Sequence, residues 1–134
     1  MFTLGTKFLW TPELSEKENA FLDPNKLTEK VPQYATELRR RHAATGFEKI
    51  LEKVREMNVS LGQESVLKDE DIQKINRKVR IGMGDQDFMV SIEESVSVYR
   101  LLQHGELQIF PNTQHPLERV SFPNLANSIL NFFK

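Results

Sequence analysis

The chain has 134 residues, of which 39% are hydrophobic and 28% are charged, and its net charge is −1 at pH 7. This length and composition fit one globular domain, and the balanced charge predicts neither a nucleic acid nor a membrane as a partner. The chain has no cysteine and no long apolar run, which excludes disulfides and thiol chemistry and predicts a cytoplasmic protein without a membrane span.

The first half of the chain predicts one strand followed by helices. Apolar residues at positions 2, 4, 8, 9 and 10 indicate a strand over 1–10, which Gly5 interrupts. Prolines at positions 12, 24 and 32 then favour the starts of helices or divide one helix from the next. Apolar residues recur at helical spacing over 47–61, which is the strongest periodic signal in the chain.

The second half alternates strands with helices. Residues 79–83 and 107–110 are short and apolar enough for strands, and the Ser91 and Glu94 spacing between them is that of a capping box that opens a helix. A last helix is predicted over 121–133. We expect its inner face to carry Leu125, Ile129, Leu130 and Phe133. The order strand, helix, strand, helix predicts parallel pairing by right-handed crossovers and places the chain in the α/β class.

Polar residues follow both strands of this half. Residues 84–87, with Asp87 at their end, come directly after the first strand, and His115 lies in the loop after the second. Because ligands of open α/β sheets bind at the carboxyl ends of strands, both residues are catalytic candidates. The alternatives are an ordinary turn for the acidic segment and a surface residue for His115. Together they fit the acid and base of a nucleophile–His–acid triad.

The sequence patterns for a cofactor or a metal site are weaker than the pattern for the triad residues. Gly82, Gly84 and Asp87 have the spacing of a dinucleotide-binding fingerprint, but the third position of that fingerprint requires Gly or Ala. Asp85 and Asp87 supply two hard oxygen ligands, which are too few to hold a divalent cation alone. The histidines of the chain lack the spacing of zinc ligands. We therefore expect neither a cofactor nor a metal.

Two segments resemble parts of the α/β-hydrolase superfamily. Residues 79–90 are similar to its acid-bearing strand and turn, which runs apolar strand, Gly-x-x-Asp and apolar residue. Residues 107–116 resemble its final strand and histidine loop, and the C-terminal helix resembles its last helix. This resemblance implies that Asp87 is the triad acid and His115 the triad base.

Followed over the whole chain, the resemblance implies a single C-terminal α/β-hydrolase-like region over 1–134. The strand over 1–10 resembles the strand after the nucleophile-bearing one, 11–76 would be a helical cap and return helix, and 77–134 would carry the acid and histidine. The implied fold is a partial α/β-hydrolase fold with a short, mostly parallel sheet and a helical cap-like insertion. The cap side chains expected to roof the substrate pocket are Phe47, Leu51, Val54 and Met57.

The superfamily's nucleophile stands in Gly-x-Ser-x-Gly, and no serine of this chain lies in that motif. The resemblance therefore implies a C-terminal fragment of a serine hydrolase that acts on a small-molecule ester or related acyl substrate, with this chain alone inactive. The alternative is a non-catalytic truncated α/β domain that serves oligomerisation or partner binding. Without the neighbouring strand of the superfamily, the strand over 1–10 predicts a homodimer formed through that strand.

Overall fold

The computed structural model describes residues 1–115 and 119–134, which separate into two compact units. Met1–Leu9 and Leu67–Lys134 form a sheet unit, and Trp10–Val66 forms a helical unit. The elements in chain order are β1 Phe2–Leu4, α1 Pro12–Ala20, α2 Pro24–Lys30, α3 Pro32–Arg41, α4 Phe47–Gln63, α5 Asp69–Gln73, β2 Val79–Gly84, α6 Ile92–Leu101, β3 Gly105–Phe110 and α7 Phe122–Phe132.

The sheet unit is built on three parallel strands in the order β1-β2-β3. The central strand β2 pairs Arg80 with Phe2 on one side and Ile81 with Leu107 on the other. α6 connects β2 to β3 and packs against both strands. Parallel strands with intervening helices confirm the predicted α/β class.

β1 is much shorter than the strand predicted over 1–10. It ends at Leu4 because Gly5 adopts a φ of +55°, a left-handed conformation that interrupts an extended chain. The N–H of Gly5 still donates to the carbonyl of Gly82, at 2.9 Å. The chain therefore leaves the sheet directly after Gly5.

The segment after β1 is held by the buried carboxylate of Glu94 rather than by strand pairing. Its Oε1 accepts the N–H groups of Phe8 and Leu9 at 2.8 and 3.0 Å. Its Oε2 accepts the N–H of Ser91, whose hydroxyl in turn accepts the N–H of Glu94 at 3.1 Å. The predicted capping box is thus confirmed, and its acid also fixes the chain that follows β1.

One face of the sheet carries the hydrophobic core of this unit. Alternate residues of β2, Val79 and Ile81, point toward α5 and α6 and are at most 2% exposed. The core cluster consists of Ile72, Val79, Ile81, Val98 and Leu102, with Phe8, Ile75, Tyr99, Leu101 and Leu107 packed around it. Burying one such side chain stabilises the fold by about 1.5–3 kcal/mol, so this cluster is a large source of the unit's hydrophobic stabilisation.

The prediction for the inner face of α7 is wrong for two of its four residues. Leu130 and Phe133, which we expected on the inner face, are 61% and 67% exposed. Ser128 and Phe132 are buried because β2 directs Arg80 toward α7, where its guanidinium donates to the Ser128 carbonyl at 3.0 Å. The ring of Phe132 packs edge-on against Phe2, with centroids 5.9 Å apart. The face of α7 that lies toward the sheet therefore carries Ser128 and Phe132.

The helical unit has a small core of its own. That core consists of Ala35, Phe47 and Leu51, with Leu22, Leu27 and Leu38 packed around it. Phe47 and Leu51, which we expected to roof a pocket, are buried among their own helices, and Met57 is 52% exposed. Among the helices that the structure describes, none is long and apolar enough to cross a membrane.

Candidate active site

Asp87 and His115 meet at the carboxyl ends of two neighbouring strands. Asp87 follows β2 and His115 follows β3, so parallel pairing brings both residues to one edge of the sheet. Nδ1 of His115 lies 3.1 Å from Oδ2 of Asp87. The side chain of Asp87 is 4% exposed and that of His115 is 27% exposed, so the acid is enclosed while part of the ring is accessible. The expected contact is present, and the catalytic roles of the two residues stay a prediction.

Both oxygens of Asp87 have defined partners. Oδ1 accepts the N–H groups of Met89 at 2.9 Å and Val90 at 3.0 Å, and Oδ2 faces His115. A carboxylate only accepts hydrogen bonds, so Nδ1 is the nitrogen that carries the proton in the neutral ring. The lone pair is then on Nε2, the atom that takes a proton from a nucleophile in triad chemistry.

The acid turn and the histidine loop are joined at Thr113. Its N–H donates to Oδ1 of Asp85 at 3.1 Å, and its carbonyl accepts the N–H of Gln86 at 3.1 Å. A Cβ added to Gly84 would lie 2.1 Å from the Thr113 carbonyl oxygen. Gly84 has the spacing of a dinucleotide-binding fingerprint in the sequence. In the structure a glycine is needed there because the backbones of Gly84 and Thr113 approach each other closely.

Gly5 also borders the pair, a position that the sequence did not predict. A Cβ at Gly5 would stand 3.7 Å from both Oδ2 of Asp87 and Nδ1 of His115. The ring of Phe88, which is 68% exposed, lies edge-on to the His115 ring with centroids 6.2 Å apart. The only sequence signal for Gly5 was a glycine at the end of an apolar strand.

A cavity of about 30 Å³ lies beside the pair, enough for water but not for an organic acyl group. Its lining consists of Leu4, Gly5, Gly84, Asp87, Thr113, Gln114, His115 and Val120. Of these described lining residues only Thr113 carries a hydroxyl, which donates to the carbonyl of Pro111 at 3.1 Å. The described lining therefore contains a histidine in contact with a carboxylate, and none of its described side chains is a free nucleophile.

The two aspartates do not form a metal site in the part of the chain that the structure describes. Within residues 1–115 and 119–134, no three or more histidine or acidic side chains are grouped so that they could hold a metal ion. Oδ1 of Asp85 is engaged by a backbone N–H, and both oxygens of Asp87 are engaged as described above. The two side chains have separate hydrogen-bonding roles.

No family model and no curated protein matches the chain. Among solved structures, it is similar to 2-hydroxy-6-oxo-6-phenylhexa-2,4-dienoate hydrolase from Rhodococcus sp. strain RHA1, with a TM-score of 0.66 and 18% identity over 98% of this chain and 54% of that one. It is also similar to an α/β-hydrolase enzyme from a Medee basin deep-sea metagenome library, with a TM-score of 0.66 and 18% identity over 99% of this chain and 55% of that one. For an esterase from Rhodococcus sp. ECU1013 the TM-score is 0.54 and the identity is 16%, over 89% of this chain and 39% of that one.

These likenesses show the fold of the chain. It has a partial α/β-hydrolase fold, as the resemblance of residues 79–134 predicted. The chain spans about half the length of the first two structures, at 54% and 55%.

Proposed function

We propose that the chain supplies the acid and base of a nucleophile–His–acid triad that hydrolyses esters or related acyl compounds in a longer protein. The observation that carries this proposal is the 3.1 Å contact between Nδ1 of His115 and Oδ2 of the enclosed Asp87. It lies at the carboxyl ends of parallel strands, where α/β folds place their sites. The likeness in fold to an esterase and to a dienoate hydrolase supports the acyl class of substrate.

In this proposal each of the two residues has a defined part in the reaction. Nε2 of His115 takes the proton of the nucleophile as its oxygen bonds to the acyl carbon, and returns that proton to the leaving group as the old acyl bond breaks. Water then releases the acyl group by the same proton transfers. Asp87 keeps the Nδ1 proton in place and stabilises the imidazolium, and its bonds to Met89 and Val90 keep its own orientation fixed.

The nucleophile in this proposal is a serine in Gly-x-Ser-x-Gly outside residues 1–134. No serine of this chain has that context, and the described cavity is far smaller than the roughly 300 Å³ or more of a ligand pocket. The same stretch of protein would supply the oxyanion donors and most of the pocket. By itself the 134-residue chain is therefore expected to be inactive.

A fluorophosphonate probe, which reacts with activated serines, tests this proposal. In the full-length polypeptide that contains residues 1–134 we expect labelling at one serine outside this range, and His115→Ala should slow the labelling by about 10²–10⁴-fold because the general base is lost. The isolated chain should remain unlabelled. Labelling of a serine within 1–134, or no labelling of the full-length polypeptide, would contradict the assignment.

A second candidate function is a non-catalytic α/β domain that forms a homodimer through β1. The observation in its favour is that β1 is the edge of the described sheet. The carbonyl of Met1 and the N–H of Gly5 bond to β2, so the alternating backbone groups of Phe2 and Leu4 point to the open edge. Pairing with the same edge of a second copy about a twofold axis would satisfy them.

Replacing Leu4 by proline tests this pairing. The change removes an N–H on the open side of β1 and leaves the ladder to β2 intact, a position at which edge strands tolerate proline. We expect light scattering to give twice 15.6 kDa for the wild type and 15.6 kDa for Leu4→Pro. Leu130→Lys, at an exposed site on α7, is the control and should remain dimeric. A wild type that is monomeric at tens of micromolar would exclude the homodimer.

A further inference from the structure

Asp85 takes no part in the proposed triad, yet its carboxylate bonds the acid turn to the histidine loop, as the backbone of Gln86 also does. Its carboxylate accepts the N–H of Thr113, and its own N–H donates to the carbonyl of Phe110, each at 3.1 Å. It therefore contacts the chain where β3 ends and again just before His115. This spans the turn by which the histidine loop leaves the sheet.

We propose that Asp85 is a positioning residue that sets the distance between Asp87 and His115 by holding the histidine loop at Thr113. The catalytic meaning of that distance rests on the proposed function, whereas the hydrogen bonds do not. The two halves of the arrangement have the same spacing, because Asp85 precedes Asp87 by two residues and Thr113 precedes His115 by two. A change in the distance between Asp85 and Thr113 therefore also changes the distance between Asp87 and His115, which lie two residues further along each segment.

The backbone around Thr113 shows why a side-chain acceptor is needed. Asn112 has a φ of +53°, which is unusual for a residue other than glycine and turns the chain sharply after β3. The carbonyl of Thr113 is satisfied by the N–H of Gln86, and Nε2 of Gln86 reaches Oδ1 of Asn112 at 3.4 Å. The remaining N–H of Thr113 is satisfied by Asp85, through a charge-assisted bond of the stronger kind.

Removal of this acceptor leaves only one of the two Thr113 backbone bonds to the acid turn. The histidine loop can then move away from the turn, and the contact between His115 and Asp87, already at 3.1 Å, lengthens beyond hydrogen-bond distance. Asp85 is exposed, so its substitution leaves the packing of the core unchanged. The pattern Gly-Asp-x-Asp thus contains a close-approach glycine, a positioning acid and the triad acid.

Nuclear magnetic resonance on the 134-residue chain measures this directly, without any need for activity. The wild type should show the His115 Nδ1–H signal, protected from water by its bond to Asp87, and a slowly exchanging Thr113 amide. In Asp85→Ala we expect the ring signal to be lost and the Thr113 amide to exchange faster by about tenfold. Asp85→Asn keeps an acceptor oxygen and should restore both signals, a rescue that a general loss of structure would not show.

The control is Asp71→Ala, which removes the same charge from the exposed surface of α5, where Asp71 pairs with Lys74 at 3.1 Å. It should leave both signals unchanged. An Asp85→Ala variant that keeps the ring signal, or an Asp85→Asn variant that loses it, overturns the inference. A wild type without the ring signal overturns both the inference and the triad. If serine labelling of the full-length polypeptide fails while the ring signal still depends on Asp85, only the proposed function is lost.

Discussion

Gly84→Ala is expected to lower the free energy of unfolding of the chain by about 3 kcal/mol, the upper range for overpacking a closely packed site. The new methyl group would stand 2.1 Å from the carbonyl oxygen of Thr113 and 2.8 Å from its carbonyl carbon. Both are backbone atoms, and no rotation of a flexible side chain can relieve the contact. The turn that carries Asp87 and the loop that carries His115 therefore have to separate.

Urea denaturation measures this loss, and Gly5→Ala provides the matched control. The same methyl group at Gly5 meets its neighbours at 3.7 Å or more, which is ordinary contact. Its cost comes from the φ of +55° alone and should be about 1–2 kcal/mol. Equal destabilisation by the two variants would show that the approach of Gly84 to Thr113 does not limit stability.

Local patterns in the sequence predicted those parts of the sheet unit that depend on neighbouring residues. The capping box at Ser91 and Glu94 predicted the start of α6, because its bonds form within one helical turn. Apolar runs predicted β2 and β3, and their order predicted parallel pairing. That pairing alone brings Asp87 and His115 to one edge of the sheet, which is why their contact was predictable.

Features that depend on contacts between distant segments were not predictable in the same way. The apolar periodicity of α7 indicated an inner face that includes Leu130, but the buried face carries Ser128, whose carbonyl accepts a hydrogen bond from Arg80. The periodicity of α4 correctly indicated a helix but could not show that Phe47 is buried within the helical unit. The segment around Asp85 has the composition of an ordinary turn, and only the structure shows that Asp85 accepts a hydrogen bond from Thr113.

The proposed triad predicts a specific effect of Asp87→Asn on catalysis, which follows from the partners of the carboxylate. The amide oxygen has to stay on the N–H groups of Met89 and Val90, because an amide nitrogen cannot accept them. The amide N–H₂ then faces His115, so Nδ1 becomes the acceptor and the ring proton moves to Nε2. A ring protonated at Nε2 cannot take the proton of the nucleophile. We expect kcat to fall by about 10⁴-fold, the drop that the same change causes in a Ser–His–Asp protease.

Turnover of a 4-nitrophenyl ester by the full-length polypeptide that contains residues 1–134 is the decisive measurement. The wild type and the control Asp71→Asn, which alters an exposed acid paired with Lys74, should turn over the ester at the same rate. Asp87→Asn should bind the ester with a similar KM and turn it over about 10⁴-fold more slowly. An Asp87→Asn variant that retains the turnover of the wild type would show that Asp87 and His115 are not the acid and base of a hydrolytic triad.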